Sequence, residues 1–405
     1  MGSLLVMVVV WRFAKGLSVL GVVVVAAMCQ LPGLTQSPIT STDAYRYVWD
    51  GRVQLSGSSP YSHVPLDDAL ARLRDPVLFP GLSPEQRSGI TGPPHLSKDP
   101  AATADDPRTR INRPQVPTIY PPVAQAYFTV VAFVTPWSAG TLGLQIAAAL
   151  LAVALTWLLA VQGRDPRWAA LWGWSPIVAL EAGNAAHVDV LAALLIVAAV
   201  ITATRRPTLA GILLGAAASV KLLPLLLLPA FGRRQSIVAA GTFIASYLPH
   251  VVAAGTLVLG FLPGYLTQEG FADGSSRSAI LALLLPPGQR QLVAGVLAVA
   301  FAVLALRRQP IAVTCCWLYG AALLIATPTY PWYGLPLIAL AVLAKRPEWL
   351  AVPLASYLAY ASFGNDTRQG LIYLIAAVVV VTAITIRHRF AAVKQFDERV
   401  GASQH

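Results

Sequence analysis

Charged residues are scarce in this sequence. Asp, Glu, Lys and Arg make up only 12% of its 405 residues, whereas hydrophobic residues make up 56%. A soluble domain usually carries about 25% charged and about 45–50% apolar residues. The shortage of charge therefore excludes an ordinary cytosolic enzyme, and the chain is long enough for about a dozen membrane-spanning helices of roughly 20 residues each.

Cysteine and nucleotide-binding motifs are also scarce. The three cysteines, Cys29, Cys315 and Cys316, lie inside apolar runs and show no CxxC spacing. This predicts neither a disulfide framework nor a zinc site. The glycine-rich loops GxxxxGKS/T and GxGxxG are missing, as is a paired DxD motif on the predicted cytoplasmic side. We therefore expect no cofactor and no metal, and neither ATP nor a soluble sugar nucleotide is an obvious substrate.

The few charges are biased toward the positive sign, giving a net charge of +11 from 29 basic and 18 acidic residues. One basic patch would indicate nucleic-acid binding, but sixteen of the basic residues form short clusters at the ends of apolar runs. Cytoplasmic ends of membrane spans carry such clusters, so the pattern predicts topology and no nucleic-acid partner. The clusters are Arg12/Lys15, Arg164/Arg167, Arg205/Arg206, Arg233/Arg234, Arg307/Arg308, Lys345/Arg346 and the tail residues Arg387, Arg389, Lys394 and Arg399.

These clusters predict an all-α polytopic membrane protein in the lipid bilayer, a bundle of about 10–12 transmembrane helices with a large first external loop. We expect one integral membrane domain over residues 1–405, an external loop with interfacial helices at 35–140, a cytoplasmic tail at 387–405 and both termini in the cytoplasm. The predicted spans are about 16–34, 141–162, 168–184, 187–204, 235–252, 291–306, 310–326, 332–344, 348–363 and 369–386.

Two apolar segments do not fit a simple span. Residues 208–231 lie between two Arg pairs and are interrupted by Lys221 and Pro224. They predict a short re-entrant hairpin or two half-helices, which membranes tolerate where protein surrounds the backbone; the alternative is one tilted span. Residues 121–137 are apolar but short, and they predict an interfacial helix on the outer leaflet.

Polar residues cluster just after the first predicted span. Asp43, Tyr47 and Asp50 are spaced i, i+4 and i+7, so a helix would place them on one face. Arg46 lies beside them. A carboxylate at the boundary between membrane and water could act as a general base. The alternative is a solvated helix start with Asp43 as a capping element.

Two further polar groups follow in apolar surroundings. The segment TIYPPVAQ offers Tyr120 and Gln125 as weaker candidates for substrate contacts, although a loop-to-helix turn would explain its prolines. A later hairpin carries Glu181, His187 and Asp189 at its predicted outer end. Ionisable residues at membrane depth are costly and indicate function. The alternative is a hairpin that reaches water.

Lys221 stands alone in the apolar run LLGAAASVKLLPLLLLP. Such a lysine needs an anionic partner or must lose its proton, and a lipid phosphate and the carboxylate of Asp189 are both possible partners. Aromatic residues at the outer level could contact a sugar or a polyprenyl tail, or serve only as membrane anchors. Further candidates for substrate contacts on the same predicted outer side are His250, Glu269, Tyr330 and Trp332.

The order of these motifs resembles that of the GT-C superfamily of polytopic glycosyltransferases. The motifs are YRYVWDGRV after Asp43, TIYPPVAQ, a W.P…E…H.D.LA pattern, Lys221 and PTYPWY. Within the superfamily, the sequence is most similar to actinobacterial polyprenol-phosphate-mannose-dependent mannosyltransferases. The resemblance implies a GT-C-like bundle, a polyprenyl-phosphate sugar donor and a catalytic carboxylate early in the first external loop, which points to Asp43. Related enzymes often carry a histidine where this sequence has Tyr330, which argues against a catalytic histidine there.

We therefore expect a multi-pass glycosyltransferase of the bacterial plasma membrane. It would move a hexose, mannose by the resemblance, from a polyprenyl-phosphate-sugar donor to a lipid-linked or cell-envelope glycan acceptor. Asp43 is the expected general base of an inverting displacement, with Asp50 second, and Lys221 is the first candidate to stabilise the leaving phosphate. Alternatives are an arabinofuranosyl or glucosyl transferase of the same fold, a lipid or sugar transporter or flippase, and a non-catalytic scaffold. Other candidates for contacts to the phosphate are Arg46, Arg52, His187 and His250.

Overall fold

A computed structural model describes residues 12–88, 106–163, 165–268, 278–306, 309–328 and 330–402. Throughout these ranges the regular secondary structure is helical and no strand occurs, which confirms the predicted all-α fold. We number the longer helices in chain order. They are α1 (Val19–Leu34), α2 (Asp43–Leu55), α3 (Pro122–Val134), α4 (Leu142–Gln162), α5 (Asp189–Thr202), α6 (Pro207–Ala218), α7 (Arg233–Ala254), α8 (Pro287–Ala305), α9 (Ile311–Ala326), α10 (Leu335–Ala344), α11 (Ala351–Tyr360) and α12 (Asp366–Ala402).

Within the described ranges, 4 helical stretches are long and apolar enough to cross a membrane. Several other apolar helices are only 10–17 residues long, because prolines and irregular turns end them before they reach membrane length. The chain is therefore a helical membrane protein that combines membrane-length helices with shorter ones. The membrane-length stretches are α4, Arg233–Thr267, α8 and Asp366–Arg387.

The helices α7 and α8 expose most of their apolar surface. On α7, Ile244 is 62% and Val252 is 88% exposed, and on α8 Leu292 is 72% exposed. Apolar patches of this extent are rare on soluble proteins because hydrating them is unfavourable. A lipid environment removes that cost, so the exposed faces agree with the low charge of the sequence.

Two helices of the predicted external loop, α2 and α3, pack closely side by side. The helix predicted within residues 121–137 is confirmed as α3, which begins at Pro122 because proline suits the first turn of a helix. Gly51 of α2 allows the close approach, since a Cβ atom there would lie 2.5 Å from the carbonyl oxygen of Phe128. Tyr47 stacks on the Phe128 ring with 4.3 Å between centroids. This packing fixes the helix that carries Asp43.

The segment 208–231 is interrupted as the sequence predicts. Helix α6 ends at Ala218, and a 3-10 helix follows at Leu223–Ala230. Lys221 lies in the break between them. The segment therefore forms two short helices instead of one tilted span, and the break places the lysine where a continuous helix would not.

Basic ends of different helices meet each other. Arg387 pairs with Glu348 at 2.7 Å and donates a hydrogen bond to the carbonyl oxygen of Lys345 at 3.3 Å. Arg234 donates to the hydroxyl of Thr208 at 2.9 Å. Clusters that the sequence assigns to one side of the membrane are thus neighbours in pairs. Arg164, Arg307 and Arg308 lie outside the described residues.

Candidate active site

Asp43 is the first residue of α2, and its carboxylate faces the loop before α3. Asn112 donates a hydrogen bond to Oδ1, and the Tyr120 hydroxyl donates to Oδ2 at 3.3 Å. The N-cap residue of α2 is Thr42, so the carboxylate makes tertiary contacts instead of capping the helix. The Asp43 side chain is 15% exposed, which leaves it within reach of a substrate hydroxyl.

Tyr120 is held as a hydrogen-bond donor beside Asp43. Burial raises the pKa of Tyr120, and the nearby Asp43 carboxylate raises it further. The ring of Tyr47 meets the Tyr120 ring edge-on, with 4.9 Å between centroids. The phenol therefore stays protonated at neutral pH and keeps donating to the carboxylate.

His187 lies between two carboxylates. Its Nδ1 atom is 3.7 Å from Oδ2 of Asp43, and its Nε2 atom is 3.3 Å from Oε2 of Glu181. The side chains of His187 and Glu181 are fully buried. The imidazole stacks on the Trp332 ring at 3.9 Å between centroids, with an interplanar angle of 15°. Residues from three distant parts of the chain thus enclose Asp43.

An irregular turn places Glu181 and His187 together. Residues Ala179–Asn184 form a π-helix, and Ala186 after it has a positive φ of 56°. The backbone N–H of His187 donates to the carbonyl oxygen of Glu181 at 2.9 Å. A π-helical turn and a positive φ at a non-glycine residue are both uncommon, and both occur frequently at functional sites.

Asp50 shares the helix face of Asp43 but has a different environment. It is fully buried and pairs with Arg46 at 2.9 Å. Its other oxygen accepts hydrogen bonds from Thr118 at 2.6 Å and Gln125 at 3.0 Å. With both oxygens engaged and no exposure, Asp50 ties α2 to the loop before α3. Arg46 and Gln125 serve the same structural network in this arrangement.

Arg52 is engaged elsewhere. It forms an ion pair with Asp75, and its guanidinium lies 4.6 Å over the Trp137 ring. A small cavity lined by Val48, Arg52 and Leu144 lies beside these groups and does not include Asp43. In the structure Arg52, a candidate for contacts to the donor phosphate, is thus engaged by Asp75 and Trp137.

Lys221 pairs with Asp189, the alternative that the sequence analysis left open. The ammonium nitrogen is 2.8 Å from both Asp189 oxygens. It also lies 4.0 Å over the ring of Tyr333, whose hydroxyl contacts that of Tyr265 at 2.9 Å. Asp189 is almost fully buried, whereas the Lys221 side chain is 19% exposed. The lysine is thus both charge-compensated and accessible.

The aromatic residues of the PTYPWY segment pack against protein. Trp332 is 7% exposed, with His187 stacked on it at 3.9 Å and Tyr330 at 4.9 Å. The indole supports the imidazole and has little surface left for a sugar ring. His250 contacts the ring of Tyr61 at 5.2 Å between centroids. Glu269, a predicted substrate contact, lies outside the described residues.

A family model for glycosyltransferase family 87 matches residues 118–344, more than half of the chain. The chain belongs to glycosyltransferase family 87. It is therefore a membrane glycosyltransferase, in agreement with the GT-C type that the motifs indicate. The matched region of this family 87 member includes Tyr120, His187 and Lys221, whereas Asp43 precedes it. No curated protein and no solved structure matches the chain.

Sequence reasoning missed several contacts in this family 87 glycosyltransferase. Tyr357 donates to Oε1 of Glu181, and Thr40 donates to Oε2 at 3.1 Å. The Tyr360 hydroxyl donates to the Thr40 carbonyl oxygen at 2.7 Å. Two phenols one turn apart in the otherwise apolar helix α11 are the signal that could have found this end of the site. Among the described residues, no three His, Cys, Asp or Glu side chains form a group that could hold a metal.

Proposed function

We propose that this glycosyltransferase transfers a hexose, specifically mannose, from a polyprenyl-phosphate-sugar donor. The acceptor is a lipid-linked or cell-envelope glycan at the outer face of the bacterial plasma membrane. The observation that carries the proposal is the carboxylate of Asp43, which is partly exposed, held by Asn112 and Tyr120, and adjacent to His187. Family membership supports glycosyl transfer in general. The donor, the acceptor and the orientation of the site in the membrane are what we propose beyond family membership.

Asp43 acts as the general base in this proposal. An acceptor hydroxyl attacks the anomeric carbon from the side opposite the phosphate, so the anomeric configuration inverts. The new bond joins the acceptor oxygen to the anomeric carbon, and the phosphate leaves with the electron pair of the broken bond. Asp43 removes the hydroxyl proton as the bond forms. A positioned general base typically raises the reaction rate about 10²–10⁴-fold.

Lys221 stabilises the leaving phosphate in this proposal. A lysine ammonium carries three N–H donors, and its contact with Asp189 need not use all of them. The side chain is 19% exposed, and its ammonium lies 4.0 Å over the Tyr333 ring. A preorganised positive charge at the developing phosphate charge lowers the barrier because it needs no reorganisation during the reaction.

The proposed orientation of the site toward the outer face rests on the distribution of basic residues. The basic clusters predict the cytoplasmic side, and helix ends that carry them meet around Lys345 and around Thr208. A donor already activated as a lipid phosphate requires no nucleotide at the reaction site. This agrees with the missing nucleotide-binding motifs, and both termini then lie in the cytoplasm.

The proposal is tested with Asp43→Asn in membranes supplied with polyprenyl-phosphate mannose. The amide keeps the shape of the side chain but cannot accept the proton, so we expect transfer to fall at least about 10²-fold. The matched control is Asp68→Asn in the same external loop, since the Asp68 side chain is 60% exposed. The control should transfer at the wild-type rate, and the two variants should insert equally well.

Undiminished transfer by Asp43→Asn would contradict the assignment of the base. Radiolabelled donors separate the alternatives, because a transferase moves the label onto a lipid or glycan product whereas a transporter or flippase leaves it on the donor. Parallel assays with glucosyl and arabinofuranosyl donors decide the sugar. Product formation only with the glucosyl donor would overturn mannose and retain a hexose, whereas product formation only with the arabinofuranosyl donor, a pentose donor, would overturn the hexose as well.

A further inference from the structure

The His187 imidazole is buried between two carboxylates without a formed hydrogen bond. Neither ring nitrogen has a hydrogen-bond partner of good geometry, although Asp43 lies 3.7 Å from one and Glu181 lies 3.3 Å from the other. A buried polar atom left without a partner costs free energy, so native proteins rarely keep one without a reason. Catalytic hydrogen bonds, however, are often long before the substrate binds.

The surroundings hold the imidazole in this position. Trp332 covers one of its faces in a parallel stack, and the backbone N–H of His187 is bonded to the carbonyl oxygen of Glu181. The stack restricts tilting of the ring, and one ring nitrogen lies toward each carboxylate. A side chain fixed this firmly is prepared for one particular pair of partners.

Glu181 is held as firmly as the imidazole. Tyr357 and Thr40 each donate a hydrogen bond to its carboxylate, and the Glu181 side chain is fully buried. Both Glu181 oxygens act as acceptors, and Glu181 lies nearer its ring nitrogen than Asp43 does, at 3.3 Å against 3.7 Å. This geometry favours the tautomer of His187 that carries its proton on Nε2. The lone pair of Nδ1 then faces Asp43.

We propose that His187 takes over the proton that Asp43 removes from the acceptor, and that Glu181 is the positioning residue that orients and stabilises His187. The inference rests on the proposed function, because it assumes that Asp43 is the base. The acceptor O–H bond breaks, its proton passes to Oδ2 of Asp43 and then to Nδ1 of His187, and Nε2–H remains directed at Glu181. The resulting imidazolium stands between two carboxylates, which stabilise its charge as in other carboxylate–histidine pairs.

Other ionisable groups around His187 do not replace this role. Tyr120 and Tyr357 donate to the two carboxylates. Lys221 is compensated by Asp189 and therefore does not neutralise Glu181. Tyr330 and Tyr360 extend the aromatic cluster around Trp332. Glu181 is thus the carboxylate that would stabilise a positive charge on the imidazole from the Nε2 side.

The experiment measures kcat, donor KM and the pH profile of kcat for His187→Gln and Glu181→Gln in membranes with polyprenyl-phosphate mannose. We expect kcat to fall at least about tenfold in each variant while donor KM changes less than about threefold, since neither residue contacts the donor in the proposal. The acidic limb of the profile should move to lower pH in His187→Gln. The relay needs a neutral imidazole to receive the proton, whereas the variant needs only an ionised carboxylate, and ordinary imidazoles ionise at higher pH than ordinary carboxylates.

The matched controls are a second buried glutamate and a histidine in the segment between α2 and α3. Glu348→Gln removes another buried glutamate, which pairs with Arg387, and His63→Gln removes a half-buried histidine paired with Asp67. Both should keep the wild-type kcat and pH profile. A purely structural effect of losing a buried glutamate would appear in Glu348→Gln as well.

A milder variant keeps the inference testable if either substitution prevents insertion. Tyr357→Phe withdraws one hydrogen bond from Glu181 and should lower kcat a few-fold with the same direction of shift in the pH profile. Wild-type kcat and an unmoved acidic limb in the inserted variants would overturn the inference. Undiminished transfer by Asp43→Asn would overturn Asp43 as the base and the relay with it, and absence of any transfer by the wild type would overturn the proposed function. Inactive Asp43→Asn with wild-type His187→Gln and Glu181→Gln would overturn only the relay.

Discussion

At the scale of single residues, exposure distinguishes two carboxylates on one helix. Asp43 and Asp50 lie on the same face of α2, yet Asp43 is 15% exposed and Asp50 is 1% exposed. Arg46 compensates the buried charge, because an unpaired carboxylate in that environment would be strongly destabilising. A general base needs access to a substrate hydroxyl, so the difference in exposure favours Asp43 over Asp50 for the proposed role.

Lys221 forms an ion pair with Asp189 and has a proposed role at the phosphate, and mutation can separate the two. Lys221→Met removes the charge at the proposed phosphate site and leaves Asp189 buried without its partner. We expect transfer to fall at least about tenfold because the leaving phosphate loses a preorganised cation. Donor KM and kcat in membranes measure the effect.

The double variant Lys221→Met/Asp189→Asn is the control for the ion pair. It removes both charges, so it relieves the uncompensated carboxylate but does not restore the cation. If Lys221 binds the phosphate, the double variant stays as slow as the single one. Recovery of transfer in the double variant would mean that Lys221 only neutralises Asp189.

At the scale of elements, the contact between α2 and α3 depends on Gly51. Gly51→Ala would place a Cβ atom 2.5 Å from the Phe128 carbonyl oxygen and 2.9 Å from the Cβ of Ala132. Alanine gains about 1 kcal/mol of helix propensity over glycine, but overpacking of a tight contact costs typically about 1–3 kcal/mol. We expect a lower thermal unfolding midpoint in detergent and reduced transfer, because α2 positions Asp43.

A glycine in an open position serves as the matched control for Gly51. Gly241 lies inside α7, and a Cβ atom there would meet nothing within 4 Å. Gly241→Ala should be neutral or stabilise by about 0.5–1 kcal/mol, since alanine loses less conformational freedom in a helix. Equal midpoints for the two alanine variants would show that the α2–α3 contact adapts more easily than its geometry indicates.

The irregular elements matter as much as the regular ones. The π-helix Ala179–Asn184 and the break after α6 supply Glu181 and Lys221. A continuous helix would present side chains on one regular face and satisfy its own backbone groups. The irregular turns interrupt this regular pattern. They place Glu181 beside His187 and Lys221 beside Asp189.

At the scale of the whole molecule, the carboxylate cluster and the basic contacts involve different helix ends. Asp43, Glu181 and His187 meet at one group of helix ends. The basic residues around Lys345 and Thr208 meet at others. The positive-inside rule assigns the basic ends to the cytoplasm, so the site should face outward.

Cysteine labelling tests this orientation. In a background without the native cysteines, we expect a membrane-impermeant maleimide to label Ser62→Cys on intact cells and Arg205→Cys only after the membrane is opened. Both positions are exposed, so access to the reagent decides the result. The reverse pattern would place the site in the cytoplasm and contradict a donor used at the outer leaflet.

The sequence by itself determined the all-α membrane fold, the helix that begins near Asp43 and the interruption at Lys221. These features follow from local rules, because charge content, helical spacing and proline act over a few neighbouring residues. Only the tertiary structure decided that Asp43 is accessible while Asp50 is buried, that Lys221 meets Asp189, and that Trp332 supports His187. Those outcomes depend on packing between distant segments, which no local pattern records.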